Sequence, residues 1–178
     1  MDPSTLRLKR MIHAALMAAL TAAGAYIAIP VGPVPIVLQN LFVLLAGLLL
    51  GSRWGLISMG IYLLSGIMGL PVFAGGTGGV GKFFGPTGGY LIAYPMVACL
   101  VGLIAEKGKH RIAADIVAVT AGMMLTYAIG VPWLKMVTGM TLTKAVAVGL
   151  VPFIPGCLVK IAAAVCIARS LRPLVNLS

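Results

Sequence analysis

Long apolar runs, interrupted by prolines, glycines and a few basic residues, are the feature that most limits how this chain folds. Of the 178 residues, 61% are hydrophobic and only 9% are charged. A soluble domain of this length has roughly a quarter of its residues charged. The runs are apolar on all sides and do not alternate, which indicates membrane-spanning helices and not a β-barrel. We therefore expect an all-α membrane protein with a single domain, residues 1–178.

The runs predict six spans, each bounded by proline, glycine or charged residues. Pro30 is expected to stop the first span, and Thr141 to cap a short helix over residues 142–150 that precedes the sixth. The N-terminal segment has the basic start of a signal peptide, but its apolar run continues without a separate cleavage region and predicts a retained helix. The six predicted spans are residues 11–29, 36–50, 54–70, 90–105, 112–131 and 155–171.

Basic residues give the spans an orientation. With a cytoplasmic N-terminus, nine basic residues lie in inner segments and three, Lys82, Lys135 and Lys144, lie in outer ones. The positive-inside rule then predicts that both termini are cytoplasmic and that the glycine-rich segment between the third and fourth spans faces outward. The net charge of +10 is explained by this topology, so nucleic-acid binding is not expected.

The glycine-rich segment GGTGGVGKFFGPTGG, residues 75–89, matches two nucleotide-binding patterns by spacing alone. A P-loop needs Ser or Thr after its lysine and a strand before it, whereas Phe83 follows Lys82 here and an apolar helix precedes the loop. Irregular backbone near a membrane is stable only when it is buried in protein or lines a cavity. We interpret residues 74–89 as a lid over the outer mouth of the bundle; a flexible surface loop is the alternative.

Lys160 lies inside the sixth span, where a cation is costly unless it faces a cavity or a partner. It lies close to the predicted outer start of that helix, whose N-terminus favours negative charge. An anionic small molecule from outside would meet both; a lysine that extends to the lipid headgroups is the alternative. Cys157 lies on the same helix face as Lys160, although all three cysteines have the pattern of inert, apolar side chains.

Other polar and aromatic residues near the predicted outer side are candidates for a pocket. Gln39 and Asn40 either contact a ligand or join helices. Tyr127 and Trp133 are either pocket walls or interfacial aromatics. Lys82 either assists the arrival of an anionic substrate or has no role.

The first helix carries two adjacent rows of alanine, spaced four residues apart. Such rows allow close approach of another helix in lipid, within this chain or in a second membrane subunit. The rows are Ala14, Ala18 and Ala22, and Ala15, Ala19 and Ala23.

Several function classes are excluded by what the spans lack. No carboxylate lies in the centre of a span to couple transport to protons or sodium, and no catalytic pair, triad or metal cluster is present in the sequence. The chain is therefore not expected to be an enzyme or to bind a metal. If it transports, its energy comes from a partner.

Three motifs resemble the biotin-specific substrate-binding (S) components of energy-coupling factor (ECF) transporters, the BioY family. They are VPIVLQ at residues 34–39, GPTGGYL at residues 85–91 after VFAGG, and PFIPGCLVK at residues 152–160. The resemblance covers essentially the whole chain. It departs at Cys157, where the family pattern often has an acidic residue.

The resemblance implies a six-helix fold with an outer biotin pocket. Lys160 would meet the valerate carboxylate, while Gln39, Tyr90 and the loop residues Gly85, Thr87, Gly88 and Gly89 would lie near the bicyclic ring. Tyr127 and Trp133 would supply apolar walls. The paired alanine rows resemble the surface that such components present to their coupling subunit.

The resemblance also implies partners and a location. They are a transmembrane coupling (T) component, two cytoplasmic ATPases, biotin and membrane lipid, in a prokaryotic cell membrane. No cofactor is expected, because biotin would be the transported ligand and only the partner subunits would use ATP. The alternatives are an S component for another vitamin, such as thiamin or riboflavin, and a passive small-solute channel; a membrane enzyme is the least favoured.

Overall fold

The structure, a computed structural model, describes residues 3–29 and 33–175. Over these residues the chain is mainly helical, with one two-stranded hairpin near the start. The expected stop at Pro30 lies outside the described residues. The elements in chain order are α1 (Pro3–Tyr26), β1 (Ala28–Ile29), β2 (Ile36–Val37), α2 (Gln39–Ile67), α3 (Gly88–Lys107), α4 (Ile112–Thr138), α5 (Leu142–Gly149) and α6 (Ile154–Leu171).

Four helical stretches among the described residues are long and apolar enough to cross a membrane. The last of them joins α5 and α6 through a 3-10 turn, Val151–Phe153. The predicted count of six spans stays a prediction. The four stretches are Gln39–Ile67, Gly88–Lys107, Ile112–Thr138 and Leu142–Leu171.

The helix α2 reverses its direction at Gly51. That residue has φ +79° and ψ −178° inside an otherwise helical stretch. Gln39 in the first half hydrogen-bonds Tyr62 in the second. A continuous helix would separate two residues 23 positions apart by about 35 Å. The two halves of α2, residues 39–50 and 52–67, therefore pack against each other in opposite directions, with the break where the second predicted span ends.

The boundaries of two predicted spans are wrong because backbone pairing was not visible in the sequence. The first span was predicted to run to residue 29, but α1 ends at Tyr26 and Ala28 pairs with Val37 in an antiparallel hairpin. The second span was predicted from residue 36, but α2 begins at Gln39 for the same reason.

Two further differences concern the end of α4 and the start of α5. The helix α4 continues through Pro132 to Thr138, seven residues beyond the predicted end, and stops at Gly139 with φ +68°. A proline inside a membrane helix is tolerated where neighbouring groups satisfy the freed backbone. The short helix α5 begins after Thr141 as predicted, but the Thr141 side chain makes no capping hydrogen bond.

One end of the bundle, which we call the basic end, is held by two acidic residues. The Arg172 guanidinium at the end of α6 donates to both carboxylate oxygens of Asp115, at 3.0 and 3.2 Å, and to the Leu48 carbonyl at 3.3 Å. The Glu106 carboxylate at the end of α3 accepts hydrogen bonds from the Ser52 amide and hydroxyl, at 2.8 and 3.0 Å. The start of α4, the ends of α3 and α6 and the reversal in α2 therefore meet here.

Substitution of Gly51 tests the reversal. An alanine at φ +79° is strained, and its Cβ would overlap the Glu106 carboxylate. We expect Gly51→Ala to lower the free energy of unfolding by about 2 kcal/mol in detergent. Gly60→Ala is the matched control, because Gly60 lies in the second half of α2 with no neighbour within 4 Å of an added Cβ. Equal thermal unfolding midpoints for the two variants would contradict the reversal.

Candidate functional site

A cavity of about 480 Å³ lies at the end of the bundle opposite the basic end. The first turn of α3 lies at this cavity with Tyr90, and its last turn lies at the basic end with Glu106. The volume is within the range of sites for small organic ligands. The lining residues are Pro33, Val34, Pro35 and Val37 before α2; Gln39 and Asn40 at its start; Phe73, Ala74, Thr77, Gly78, Gly81, Lys82, Gly85, Pro86 and Thr87 from the glycine-rich loop; Tyr90, Leu91 and Tyr94 in α3; and Tyr127, Phe153 and Lys160.

The glycine-rich loop is an ordered wall of this cavity. Its Phe73 is 2% exposed and packs edge-on against Phe83, with ring centroids 5.7 Å apart. An antiparallel β-bridge joins Phe73 to Thr77, and a 3-10 helix spans Val80–Phe84. Two other apolar residues of the loop, Val80 and Phe84, are 52% and 71% exposed.

The same loop is attached to the end of α1. The Tyr26 hydroxyl donates to the Pro71 carbonyl at 2.6 Å, and the Gly75 amide donates to the Ala25 carbonyl at 3.4 Å. Gly76, at φ +69°, lies against the Tyr26 ring. Hydrogen bonds therefore attach this part of the chain to the end of α1.

Three predicted site residues lie behind the cavity wall. The Trp133 indole donates to the Gly85 carbonyl at 3.1 Å. A Cβ on Gly89 would overlap Trp133, and one on Gly88 would overlap the Phe83 carbonyl oxygen. These residues hold the end of the loop against α4 and are not among those that line the cavity.

Lys160 points into the cavity wall from the second turn of α6. Its ammonium group donates to the Val37 carbonyl at 2.6 Å and is half-buried. Two of its three protons are free of protein partners in the described residues. Asp115 and Glu106, the acids that the structure describes, are bonded at the basic end. Lys160 is thus a cation with no counter-charge among the described residues.

Aromatic rings form the wall next to Lys160. Tyr127 packs edge-on against Tyr90 at 6.2 Å and at a 50° tilt against Phe153 at 6.1 Å. The Tyr90 hydroxyl donates to the Gly149 carbonyl at 2.9 Å. Cys157 lies outside the lining residues, and its sulfur is 3.0 Å from the Tyr127 hydroxyl. Cys157 therefore contacts a residue that lines the cavity.

Two side-chain amides face the cavity from the first turn of α2. The Gln39 Nε2 donates to the Tyr62 hydroxyl, which in turn donates to the Val72 carbonyl at 3.0 Å. The Tyr94 hydroxyl donates to Asn40 Oδ1 at 2.7 Å. Each amide thus has one atom held by a tyrosine and another left over for a ligand.

Most of the predicted binding residues line the cavity. Their contacts with a ligand stay a prediction. Cys157, Gly88, Gly89 and Trp133 do not line it. The sequence analysis missed Tyr94, which lies one helical turn after Tyr90 and could have been found by that spacing. It also did not assign Phe153 or the segment before α2 to the site, although Phe153 lies in the motif PFIPGCLVK and most of that segment in VPIVLQ. The predicted residues that line the cavity are Lys160, Gln39, Gly85, Thr87, Tyr90, Tyr127 and Lys82.

The two alanine rows of α1 have different surroundings. One row packs inside the protein, with Ala14 at 0% and Ala18 at 6% exposure and Ala22 half-buried. The other row, Ala15, Ala19 and Ala23, is exposed. The structure therefore uses the first row for internal packing and leaves the second on the surface.

Comparison with known proteins gives consistent matches. The sequence model of the BioY family matches residues 1–177. The probable biotin transporter BioY of Pyrococcus horikoshii is 43% identical over 129 residues, which cover 72% of this chain and 76% of that protein. The biotin transporter BioY of Thermotoga maritima is 44% identical over 124 residues, covering 70% and 73%. The crystal structure of the S-component for biotin from an ECF-type ABC transporter matches with a TM-score of 0.90 at 34% identity, over 97% of this chain and 95% of that one.

The packing behind the loop can be tested by proteolysis. Lys82 is the one basic residue between Arg53 and Lys107, so trypsin cleavage there reports on opening of the loop. We expect Gly88→Ala to speed this cleavage severalfold, because its Cβ would overlap the Phe83 carbonyl oxygen. Gly156→Ala, in the first turn of α6 with no neighbour within 4 Å of an added Cβ, should leave the rate unchanged. Equal cleavage rates would show that Gly88 does not hold the loop.

Proposed function

The chain belongs to the BioY family, and we propose that it binds biotin in the cavity and mediates its uptake as the S component of an ECF transporter. The names of its relatives favour biotin over other vitamins and over a passive channel. The observation that carries the proposal is Lys160, a half-buried cation at the cavity without a counter-charge among the described residues. Such a group binds a carboxylate well.

The chemistry of biotin matches the three parts of the cavity wall. Its valerate carboxylate fits the ammonium group of Lys160. Its ureido group, with two N–H donors and one carbonyl acceptor, fits the side-chain amides of Gln39 and Asn40. Its apolar thioether ring and chain fit the aromatic wall that includes Tyr90 and Tyr127. In this account Gly85 and Thr87 close the cavity from the loop, and Lys82 lies at its mouth.

The orientation in the membrane follows from the basic residues. The proposal takes the basic end as cytoplasmic, in agreement with the positive-inside rule, so that both termini are inside and the cavity opens outward. It counts six crossings by treating the two halves of α2 separately and including α1. The glycine-rich loop is then the outer lid of the site.

Transport requires partners in this account. No described carboxylate is available at the cavity to couple uptake to an ion gradient, and the chain is not proposed to be an enzyme. We assign energy supply to a T component and two cytoplasmic ATPases, with no cofactor bound by this chain. The exposed row of Ala15, Ala19 and Ala23 is the proposed docking face for the T component, because small residues allow close helix contact.

Calorimetry on the purified protein tests the site. We expect saturable binding of biotin below micromolar concentration, weakened roughly 10- to 100-fold in Lys160→Ala because the carboxylate loses its cation. Biotin methyl ester should bind weakly to both forms. Lys144→Ala removes an exposed lysine away from the cavity and should bind biotin normally. Undiminished binding by Lys160→Ala would contradict the carboxylate contact.

Uptake assays in cells that contain the partner subunits test the docking face. We expect Ala19→Leu to reduce biotin uptake at least fivefold, because the larger side chain prevents close helix contact, while the purified variant still binds biotin. Ala162→Leu changes an exposed alanine of α6 outside both rows and serves as the control. Normal uptake with Ala19→Leu would exclude this face.

A further inference from the structure

Gln39 has an unusual combination of burial and unused hydrogen-bonding capacity. The residue is 1% exposed and lines the cavity from the first turn of α2. A buried amide normally has its polar atoms paired. Of the fully buried side-chain nitrogens and oxygens that the structure describes, only His110 Nδ1 and Arg172 Nε lack a partner. The Gln39 Oε1 atom has no hydrogen bond to a described residue either, so it must border the open space of the cavity.

The direction of this amide is fixed by Tyr62. A tyrosine hydroxyl has a single proton, and that of Tyr62 is donated to the Val72 carbonyl at 3.0 Å, a group that can only accept. Tyr62 must therefore accept from Gln39, which requires Nε2 on that side. The opposite atom, Oε1, is consequently turned away from Tyr62. An exchange of the two amide atoms would place two acceptors against each other.

Tyr62 itself is held firmly enough to impose this direction. It is 1% exposed and packs edge-on against Phe73, with ring centroids 5.7 Å apart. Its ring also lies 6.4 Å from that of Tyr94. The arrangement joins the second half of α2, the glycine-rich loop and α3 around one hydroxyl group.

We propose that Gln39 Oε1 is the acceptor for a ring N–H of the ligand, and that Tyr62 is the positioning residue that keeps it an acceptor. Resting on the proposed function, this assigns one ureido N–H of biotin to Gln39. The site then distinguishes ligands by the hydrogen on that nitrogen. A ligand with a methyl group on that nitrogen has no hydrogen to donate, so Oε1 stays unpaired. The methyl group also occupies the space where the hydrogen was. An unpaired buried acceptor of this kind weakens binding about 10- to 100-fold.

Two N-methylated biotins, one for each ureido nitrogen, test this assignment by calorimetry on the whole protein. For the wild type, we expect one of them to bind 10- to 100-fold more weakly than biotin. Gln39→Met keeps the length of the side chain but removes the acceptor. The affinity for biotin should therefore fall by a similar factor, while the affinity for that analogue should change less than threefold. Thr126→Val is the control, since Thr126 is 2% exposed and bonds within α4 to Gly122.

Tyr62→Phe separates positioning from packing. The ring remains, but the amide of Gln39 is free to turn, so the ratio between biotin and the analogue should fall severalfold. A purely structural effect of this change would lower the affinities for both ligands equally and leave their ratio unaltered. That result would contradict the positioning role of Tyr62.

The outcomes also separate this inference from the proposed function. If wild-type protein binds biotin and both analogues with equal affinity, the role of Gln39 is wrong and the proposed function stands. Unchanged biotin affinity in Gln39→Met has the same meaning. If the wild type shows no saturable biotin binding, the proposed function fails and this assignment fails with it. The wild-type comparison needs no variant and is decisive even if a substituted chain does not fold.

Discussion

An apolar bundle in lipid must satisfy each polar side chain within itself, because no water is available to do so. At the basic end Asp115 is paired with Arg172 and Glu106 is bonded to Ser52, while His110 Nδ1 and Arg172 Nε are buried without a partner among the described residues. Polar groups deeper in the helices, such as Thr126, bond to the backbone one turn earlier. Around the cavity, hydrogen-bonding capacity is left over at Lys160 and at the side-chain amides of α2. The two ends of the bundle therefore differ in charge pairing: the described acids are bonded at the basic end, whereas Lys160 at the cavity has no counter-charge among the described residues.

The helix α1 connects two of the proposed roles. Its exposed alanine row is the proposed docking face, and its last turn is bonded to the glycine-rich loop through Tyr26 and Ala25. The loop in turn supplies much of the cavity wall. Hydrogen bonds therefore join the proposed partner surface and the site within a single helix and the loop that follows α2.

Much of this arrangement was accessible from the sequence, for identifiable reasons. Gly51 ends one apolar run and begins another, and only glycine holds its backbone conformation easily. Lys160 was prominent because a cation in an apolar span is costly unless it faces a cavity or a partner. The glycine-rich segment was recognisable as irregular backbone, which near a membrane must be buried in protein or line a cavity. In the structure it lines a cavity.

What the sequence did not predict depends on contacts between distant residues. The pairing of Ala28 with Val37 replaces helix at both predicted boundaries, and strands of two residues are too short to give an alternating pattern in the sequence. Trp133 was expected in a wall or a belt, yet its indole is bonded to the Gly85 carbonyl behind the loop, because α4 continues through Pro132. The direction of the Gln39 amide depends on Tyr62 and Val72, which are far from it in the chain. Such three-body relations have no signature in a single sequence.

The central claim is that Lys160 and the side-chain amides at the cavity form a biotin site with a defined polarity. An experimental structure of the protein with biotin tests this most directly. The account predicts biotin inside the cavity, with its carboxylate within hydrogen-bond distance of Lys160 Nζ and a ureido nitrogen within hydrogen-bond distance of Gln39 Oε1. Biotin bound elsewhere, or bound in the cavity with its two ends exchanged, would contradict it.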